Sequence, residues 1–175
     1  WDNSSVLDAG AVTWGHSETG FGLGATVQVS EANSLVGGAQ NDQVGSWGVT
    51  VLTNGNYVVS SPSWSNTASG LAAVGAVTWG NGLTGIRGLV SVANSLVGTS
   101  VNDNVGNNRI IALPQGHYVV SSRLWDSISP AAADAGAVTW CNGYTGTSGE
   151  VSAANSLVGG SAGDAVGYDA PTVLT

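Results

Sequence analysis

The stretch Gly-Ala-Val-Thr-Trp decides the fold, because it occurs three times, at residues 10–14, 75–79 and 136–140. A second stretch, Ala-Asn-Ser-Leu-Val-Gly, follows each copy, at 32–37, 93–98 and 154–159. The copies of this second stretch are 61 residues apart. Identity at a fixed offset is the signature of tandem structural repeats. The 175 residues are therefore predicted to be a single repeat region, residues 1–175, with units at approximately 1–63, 64–124 and 125–175, the last incomplete.

Each complete unit is predicted to contain four short strands. Residues 49–52 and 57–61 flank Asn54-Gly55, a pair that favours tight hairpins because both residues tolerate positive φ. The third strand is predicted at residues 76–79 and the fourth at 89–92. No long window shows helical spacing, so the sequence predicts an all-β fold of three four-stranded, blade-like repeats of about 61 residues. Three fourfold units also match a β-trefoil, which is the alternative fold.

The repeat pattern is one strand short. Thr175 falls where the first hairpin turn of a unit should begin, and Trp1 matches Trp64 of the next unit. The equivalent of residues 54–63 is absent, which predicts eleven strands instead of twelve. A missing strand leaves unpaired N–H and C=O groups that invite another chain. We therefore expect either further repeats of a longer chain or self-association by strand addition.

Composition excludes several kinds of partner. The net charge is −8 and the three basic residues are all arginines, so the Lys/Arg footprint that nucleic acid requires is missing. No apolar run reaches the roughly 18 residues of a membrane span, so no membrane insertion is expected. One cysteine cannot form an internal disulfide. The low charged fraction of 8% beside 27 glycines suggests an extracellular or cell-surface β-protein.

The order of the motifs resembles a known family. The stretches at residues 41–45, 49–62 and 75–80 resemble, in order, the FG-GAP blade of integrin-like β-propellers, as in tandem-repeat bacterial surface (haemagglutinin-like) proteins. The resemblance implies propeller-like blades and, in the FG-GAP hairpin loop, a calcium site. The matching loops here, residues 53–56 and 114–117, contain no carboxylate, and calcium needs several oxygen ligands. We therefore expect no metal and no other cofactor.

Two sets of recurring residues are candidates for special roles. Trp1, Trp64 and Trp125 lie in polar loops, where an aromatic ring can stack on a sugar, and they are the candidate ligand-binding residues. The tryptophans of the Val-Thr-Trp strands, in contrast, are predicted to pack in the core. Asp42, Asp103 and Asp164 precede x-Val-Gly and are predicted to cap turns by accepting backbone N–H bonds.

No constellation of residues supports catalysis. His16 and His117 are not equivalent in the repeat, and no nucleophile motif accompanies the serines. The sequence therefore favours a non-enzymatic extracellular module, structural or adhesive, that assembles into fibres or larger propellers by strand addition at its open edge. A carbohydrate-binding, lectin-like module that uses the loop tryptophans to hold glycans is the alternative.

Overall fold

A computed structural model describes residues 1–21, 28–169 and 171–174, and these residues form strands and turns without a helix. The described part of the chain therefore has no helix that could span a membrane. The strands are β1 (Ala11–Thr13), β2 (Ser34–Val36), β3 (Val49–Val51), β4 (Tyr57–Ser61), β5 (Ala76–Gly80), β6 (Gly88–Leu89), β7 (Ser95–Val97), β8 (Ile110–Ala112), β9 (Tyr118–Ser122), β10 (Ser127–Ile128), β11 (Ala131–Ala132), β12 (Ala137–Cys141), β13 (Gly149–Glu150) and β14 (Ser156–Val158).

The sheets do not follow the unit borders at residues 64 and 125, because β3 and β4 share a sheet with β5 and β7, and β8 and β9 share one with β12 and β14. Counted by sheet, the first repeat contains β1 and β2, the second β3 to β7 and the third β8 to β14. The second and third repeats each fold into one four-stranded antiparallel sheet. The orders are β3-β4-β5-β7 and β8-β9-β12-β14. The β3–β4 hairpin closes where Leu52 N donates to Asn56 O at 2.8 Å, and Gly55 supplies the positive φ of +86° that the turn needs. The predicted all-β, blade-like repeats are thus confirmed. Because the principal strands of one repeat share one sheet, the arrangement differs from the shared barrel of a β-trefoil.

The fourth strand lies six residues later than predicted. Residues 91–94 form a turn, in which Ser91 N donates to Asn94 Oδ1 and Asn94 Nδ2 donates to Leu89 O, both at 2.9 Å. The strand β7 begins only after this turn and pairs antiparallel with β5. The preceding residues, β6, instead pair parallel with β2 of the first repeat, and β13 pairs parallel with β7 in the same way. The second and third repeats therefore each contribute two residues to the sheet of the repeat before them.

The repeats stack face to face, with an apolar layer at each junction. Alternation along β4 directs Val58 toward the third repeat and Tyr57 and Val59 toward the first. One layer holds side chains of the first and second repeats, and the other holds side chains of the second and third. Each sheet is thus apolar on both faces wherever it has a neighbour on both sides.

The first sheet is the incomplete one. It contains β1, β2 and the borrowed β6, so that β1 has no neighbour on its other side among the described residues. The predicted eleventh strand is also not formed, because residues 171–174 are described without strand structure. The described residues thus form ten principal strands, one fewer than the eleven predicted, together with the shorter β6, β10, β11 and β13.

Candidate assembly surfaces

The loop tryptophans do not form the predicted ligand-binding set. Trp64 and Trp125 are only 5% and 2% exposed, and each lies in the apolar layer shared with the preceding repeat. A ring enclosed in this way cannot stack on a sugar, so the prediction for these two residues is wrong. The loop after β4 turns inward because Trp64 N donates to Ser61 O and Gly75 N donates to Trp64 O. Trp1, at 42% exposed, is the accessible member of the set.

The tryptophans of the Val-Thr-Trp strands join neighbouring repeats. The indole N–H groups of Trp14 and Trp79 donate to Gly82 O and Gly143 O of the following repeat, at 3.1 and 3.0 Å. Both rings are partly buried, as predicted for core residues, but Trp140 is 54% exposed. The acceptors were missed at the sequence level. Their signal was the Asn-Gly pair at 81–82 and 142–143, which recurs with the same spacing of 61 residues.

The repeated aspartates hold turns and also reach across the junctions. Asp42 Oδ2 accepts from Gly38 N and Ala39 N at 2.9 and 2.8 Å, and its Oδ1 accepts from Ser65 N of the next repeat at 2.9 Å. Asp103 repeats this arrangement, with Oδ1 accepting from Asp126 N at 3.0 Å. Both carboxyl groups are buried, and burial raises their pKa although the backbone N–H bonds act in the opposite direction.

Asp164 keeps only half of this arrangement. Its Oδ2 accepts from Gly160 N and Ser161 N, both at 2.9 Å, so the turn itself is held as in the other repeats. The side chain is exposed, and within the described residues no repeat follows to supply an N–H to its Oδ1. The aspartate turn is thus local, whereas the burial of the aspartate depends on a neighbouring repeat.

An aromatic cluster forms around Trp140. The His117 ring lies 4.6 Å from the Trp140 ring and 5.4 Å from the Tyr144 ring, measured between centroids. Tyr144 is itself exposed, and its hydroxyl donates to Gln115 O at 3.1 Å. The cluster is therefore an accessible aromatic surface at the end of the third repeat.

Cys141 is the single thiol and is enclosed beside Tyr118. Burial raises the pKa of the Cys141 thiol to about 12, and it also raises the pKa of the Tyr118 hydroxyl. A thiol that stays protonated at neutral pH is a poor nucleophile. Cys141 is therefore a packing residue. Within the described part of the chain, no three His, Cys, Asp or Glu side chains are grouped as metal ligands.

The edge of β1 that has no partner among the described residues borders an apolar cleft. The cleft has a volume of about 300 Å³ and is lined by Val12 and Trp14 from the first repeat and by Val49, Val51 and Tyr57 from the second. In the complete junction the corresponding residues of β8, Ile110 and Ala112, pack against the layer that contains Val58 of β4. The cleft thus lies where the first sheet would have a strand equivalent to β4, next to β1.

Comparison with known proteins identifies the repeat. The family described as a repeat of unknown function (DUF5650) matches three successive stretches of the chain, residues 1–46, 51–107 and 112–168. No curated protein and no solved structure matches the sequence. The three matched stretches coincide with the three stacked repeats and cover most of the chain, so this protein belongs to the DUF5650 repeat family.

Proposed function

We propose that this chain is a non-enzymatic structural or adhesive module, extracellular or at the cell surface, that takes up a further β-strand at the open edge of β1. In this proposal the repeats are blades of the FG-GAP kind, and strand uptake extends them into fibres or larger propellers. The observation that carries the proposal is the cleft beside β1, an apolar site next to unpaired backbone groups.

The use of the repeated polar residues supports a structural role. Thr78 Oγ1 and Ser95 Oγ lie 2.7 Å apart between β5 and β7, and the same pair recurs in the other repeats as Thr13–Ser34 and Thr139–Ser156. Asp42 and Asp103 are likewise occupied by backbone N–H groups. These side chains hold strands and turns in place, which is what a scaffold requires. Glycan binding by the loop tryptophans is less favoured, because the rings of Trp64 and Trp125 are buried and cannot contact a sugar.

The geometry specifies the strand that would fit. In the complete sheet, β4 pairs with β5 through Ser61↔Ala76, Ser60↔Val77 and Val59↔Thr78. The same register would place an added Val-Ser-Ser strand against Thr13, Val12 and Ala11 of β1. Its preceding valine would then lie over Val49 and Val51, which are exposed in this chain.

A labelled peptide with the sequence of residues 54–63 tests the proposal. We expect saturable one-to-one binding in fluorescence anisotropy, and no binding of the same peptide carrying Val59→Pro, because proline lacks the N–H and disfavours a paired strand. The protein variant Val51→Asp should weaken binding at least tenfold, since it places a charge in the cleft. Val101→Asp, an exposed valine outside the cleft, is the matched control. Equal binding of both peptides, or by both variants, would contradict strand uptake.

A further inference from the structure

The two junctions inside the chain are built alike. The preceding repeat contributes three side chains to each junction. They are a tryptophan whose indole N–H donates to a glycine carbonyl of the following repeat, a leucine of the fourth strand, and an aspartate that accepts from a backbone N–H of the following repeat. The following repeat contributes a buried loop tryptophan, Trp64 or Trp125. A junction therefore has two different, complementary halves.

In the part of the chain that the structure describes, the first half of a junction is exposed on the third repeat. Leu35 and Leu96 are 0% exposed at the two internal junctions, whereas the equivalent Leu157 is 71% exposed. Trp140 and Asp164 are exposed in the same way beside it. We call these three residues, with the adjoining edge of β14, the exit face.

The edge of β14 is also incomplete. At the internal junctions β2 pairs parallel with β6 and β7 pairs parallel with β13, so each fourth strand receives two residues from the following repeat. Among the described residues β14 pairs only with β12. The outer N–H and C=O groups of β14 thus lack the parallel partner strand that the next repeat supplies to β2 and β7.

The first repeat presents the second half. Trp1 occupies the position of Trp64 and Trp125 but keeps 42% of its surface exposed, because no repeat precedes it in the described structure. Asp2 follows Trp1 as Ser65 follows Trp64, so its backbone N–H stands where the internal junctions place the donor to the preceding aspartate. We call Trp1 and the Asp2 backbone the entry face.

We infer that the exit face binds the entry face of a second copy of this chain. The contact would rebuild part of the internal junction, with Trp1 of one copy enclosed beside Leu157 of the other and Asp164 Oδ1 accepting from Asp2 N. The described residues of the first repeat contain no counterpart of the β3–β4 hairpin, which supplies Tyr57 and Val59 to the internal junction. The inference deepens the proposed function, on which it rests, but it uses a different surface from the β1 edge. Because the two halves differ, the contact is heterologous, and it leaves a free face at each end for further copies.

The surface favours a protein occupant over a sugar. The rings of His117, Trp140 and Tyr144 would suit either, but the unpaired edge of β14 and the aliphatic Leu157 match what the next repeat covers at the internal junctions. Each copy carries a net charge of −8, so copies repel one another at long range. Association should therefore strengthen as the salt concentration rises.

Sedimentation velocity of the full chain over a range of concentrations tests the inference. The wild type should form concentration-dependent oligomers, more so in 0.5 M than in about 0.05 M NaCl, where screening is weaker. Leu157→Asp on the exit face and Trp1→Asp on the entry face should each weaken association at least tenfold. Leu83→Asp removes an equally exposed leucine from the second repeat and should associate as the wild type does.

Mixing the two end variants gives the sharpest result. Leu157→Asp retains the entry face and Trp1→Asp retains the exit face, so an equimolar mixture should form one-to-one dimers that grow no further. Circular dichroism and urea unfolding must show that both variants fold, with Leu157→Gln and Trp1→Ala as replacements if either does not. A monomeric wild type, unimpaired association of the end variants or a monomeric mixture would overturn the inference.

The two proposals can fail separately. Leu157→Asp should still bind the 54–63 peptide, because the β1 cleft lies at another junction. Peptide binding with a monomeric wild type would leave strand uptake intact and remove the stacking of copies. Binding of a glycan at Trp140 by a monomeric wild type would likewise overturn stacking and identify the other occupant.

Discussion

At the scale of single residues, equivalent positions can have different chemistry. Tyr57 and Tyr118 start the same strand of two repeats, and Tyr57 Oη accepts from Ile86 N at 3.1 Å. The Tyr118 hydroxyl is buried without a hydrogen-bond partner among the described residues. The neighbour differs too, since Cys141 stands where the second repeat has Gly80. A Cβ on Gly80 would lie 2.2 Å from the Tyr57 ring, so the cysteine requires a different placement of Tyr118.

This difference predicts opposite effects of the same substitution. Tyr57→Phe removes a hydrogen bond and should lower the free energy of unfolding by about 1 kcal/mol. Tyr118→Phe removes an unpaired buried hydroxyl and should leave that free energy unchanged or raise it. Urea unfolding of the two variants measures both values against the wild type. Equal losses from the two substitutions would show that the Tyr118 hydroxyl has a partner in solution.

At the scale of the elements, glycines fix where strands enter a sheet. Gly75 precedes β5 with φ of +77°, and a Cβ there would lie 2.2 Å from the backbone N of Val105. Gly10 and Gly136 have the same conformation against Val44 and Val166. Gly55 in the β3–β4 turn also has positive φ, but a Cβ there would have no atom within 4 Å. A side chain at Gly55 would thus meet only an unfavourable backbone conformation, whereas one at Gly75 would also clash with Val105.

The matched pair Gly75→Ala and Gly55→Ala measures that difference. Gly55→Ala should cost about 1–2 kcal/mol, the price of a left-handed conformation for an ordinary residue. Gly75→Ala adds the displacement of Val105 and should cost roughly 3–5 kcal/mol. Chemical unfolding of both variants tests the order. Equal costs would mean that the backbone near Val105 moves aside freely.

At the scale of the whole molecule, the junction aspartates link stability to pH. Burial raises the pKa of Asp42 and Asp103 in the folded chain above the ordinary value of 3.8. A raised pKa means that folding favours the protonated form. The resulting stabilisation is fully present below the unfolded pKa and is lost as the pH rises through the folded pKa.

Replacing both aspartates should flatten this dependence. We expect the free energy of unfolding of the wild type to fall more between about pH 4 and pH 7 than that of an Asp42→Asn, Asp103→Asn double variant. Asp164→Asn, at the exposed equivalent, is the control for loss of a charge. Urea unfolding at both pH values gives the comparison. A double variant with the same pH dependence as the wild type would contradict the assignment to these two carboxyl groups.

Much of the local structure follows from the sequence. The spacing of 61 residues predicts the three repeats, and Asn54-Gly55 predicts the β3–β4 hairpin, because tight turns need residues that accept positive φ. The aspartate turns are equally local, since the carboxylate reaches N–H groups three and four residues away. The fourth strand was misplaced because the Asn94 side chain forms a turn that the apolar pattern of residues 89–92 does not reveal.

The burial of the repeated side chains is decided by tertiary structure alone. Trp79 and Trp140 are both preceded by Gly-Ala-Val-Thr. Leu96 and Leu157 are both preceded by Ala-Asn-Ser. Only the members that face a following repeat are covered, and only those loop tryptophans that face a preceding one are enclosed. The sequence by itself determined the repeat, its hairpin and its aspartate turns, since these depend on neighbours along the chain. Stacking decided which residues form junctions and which remain exposed as surfaces, because burial depends on whether another sheet lies against the face.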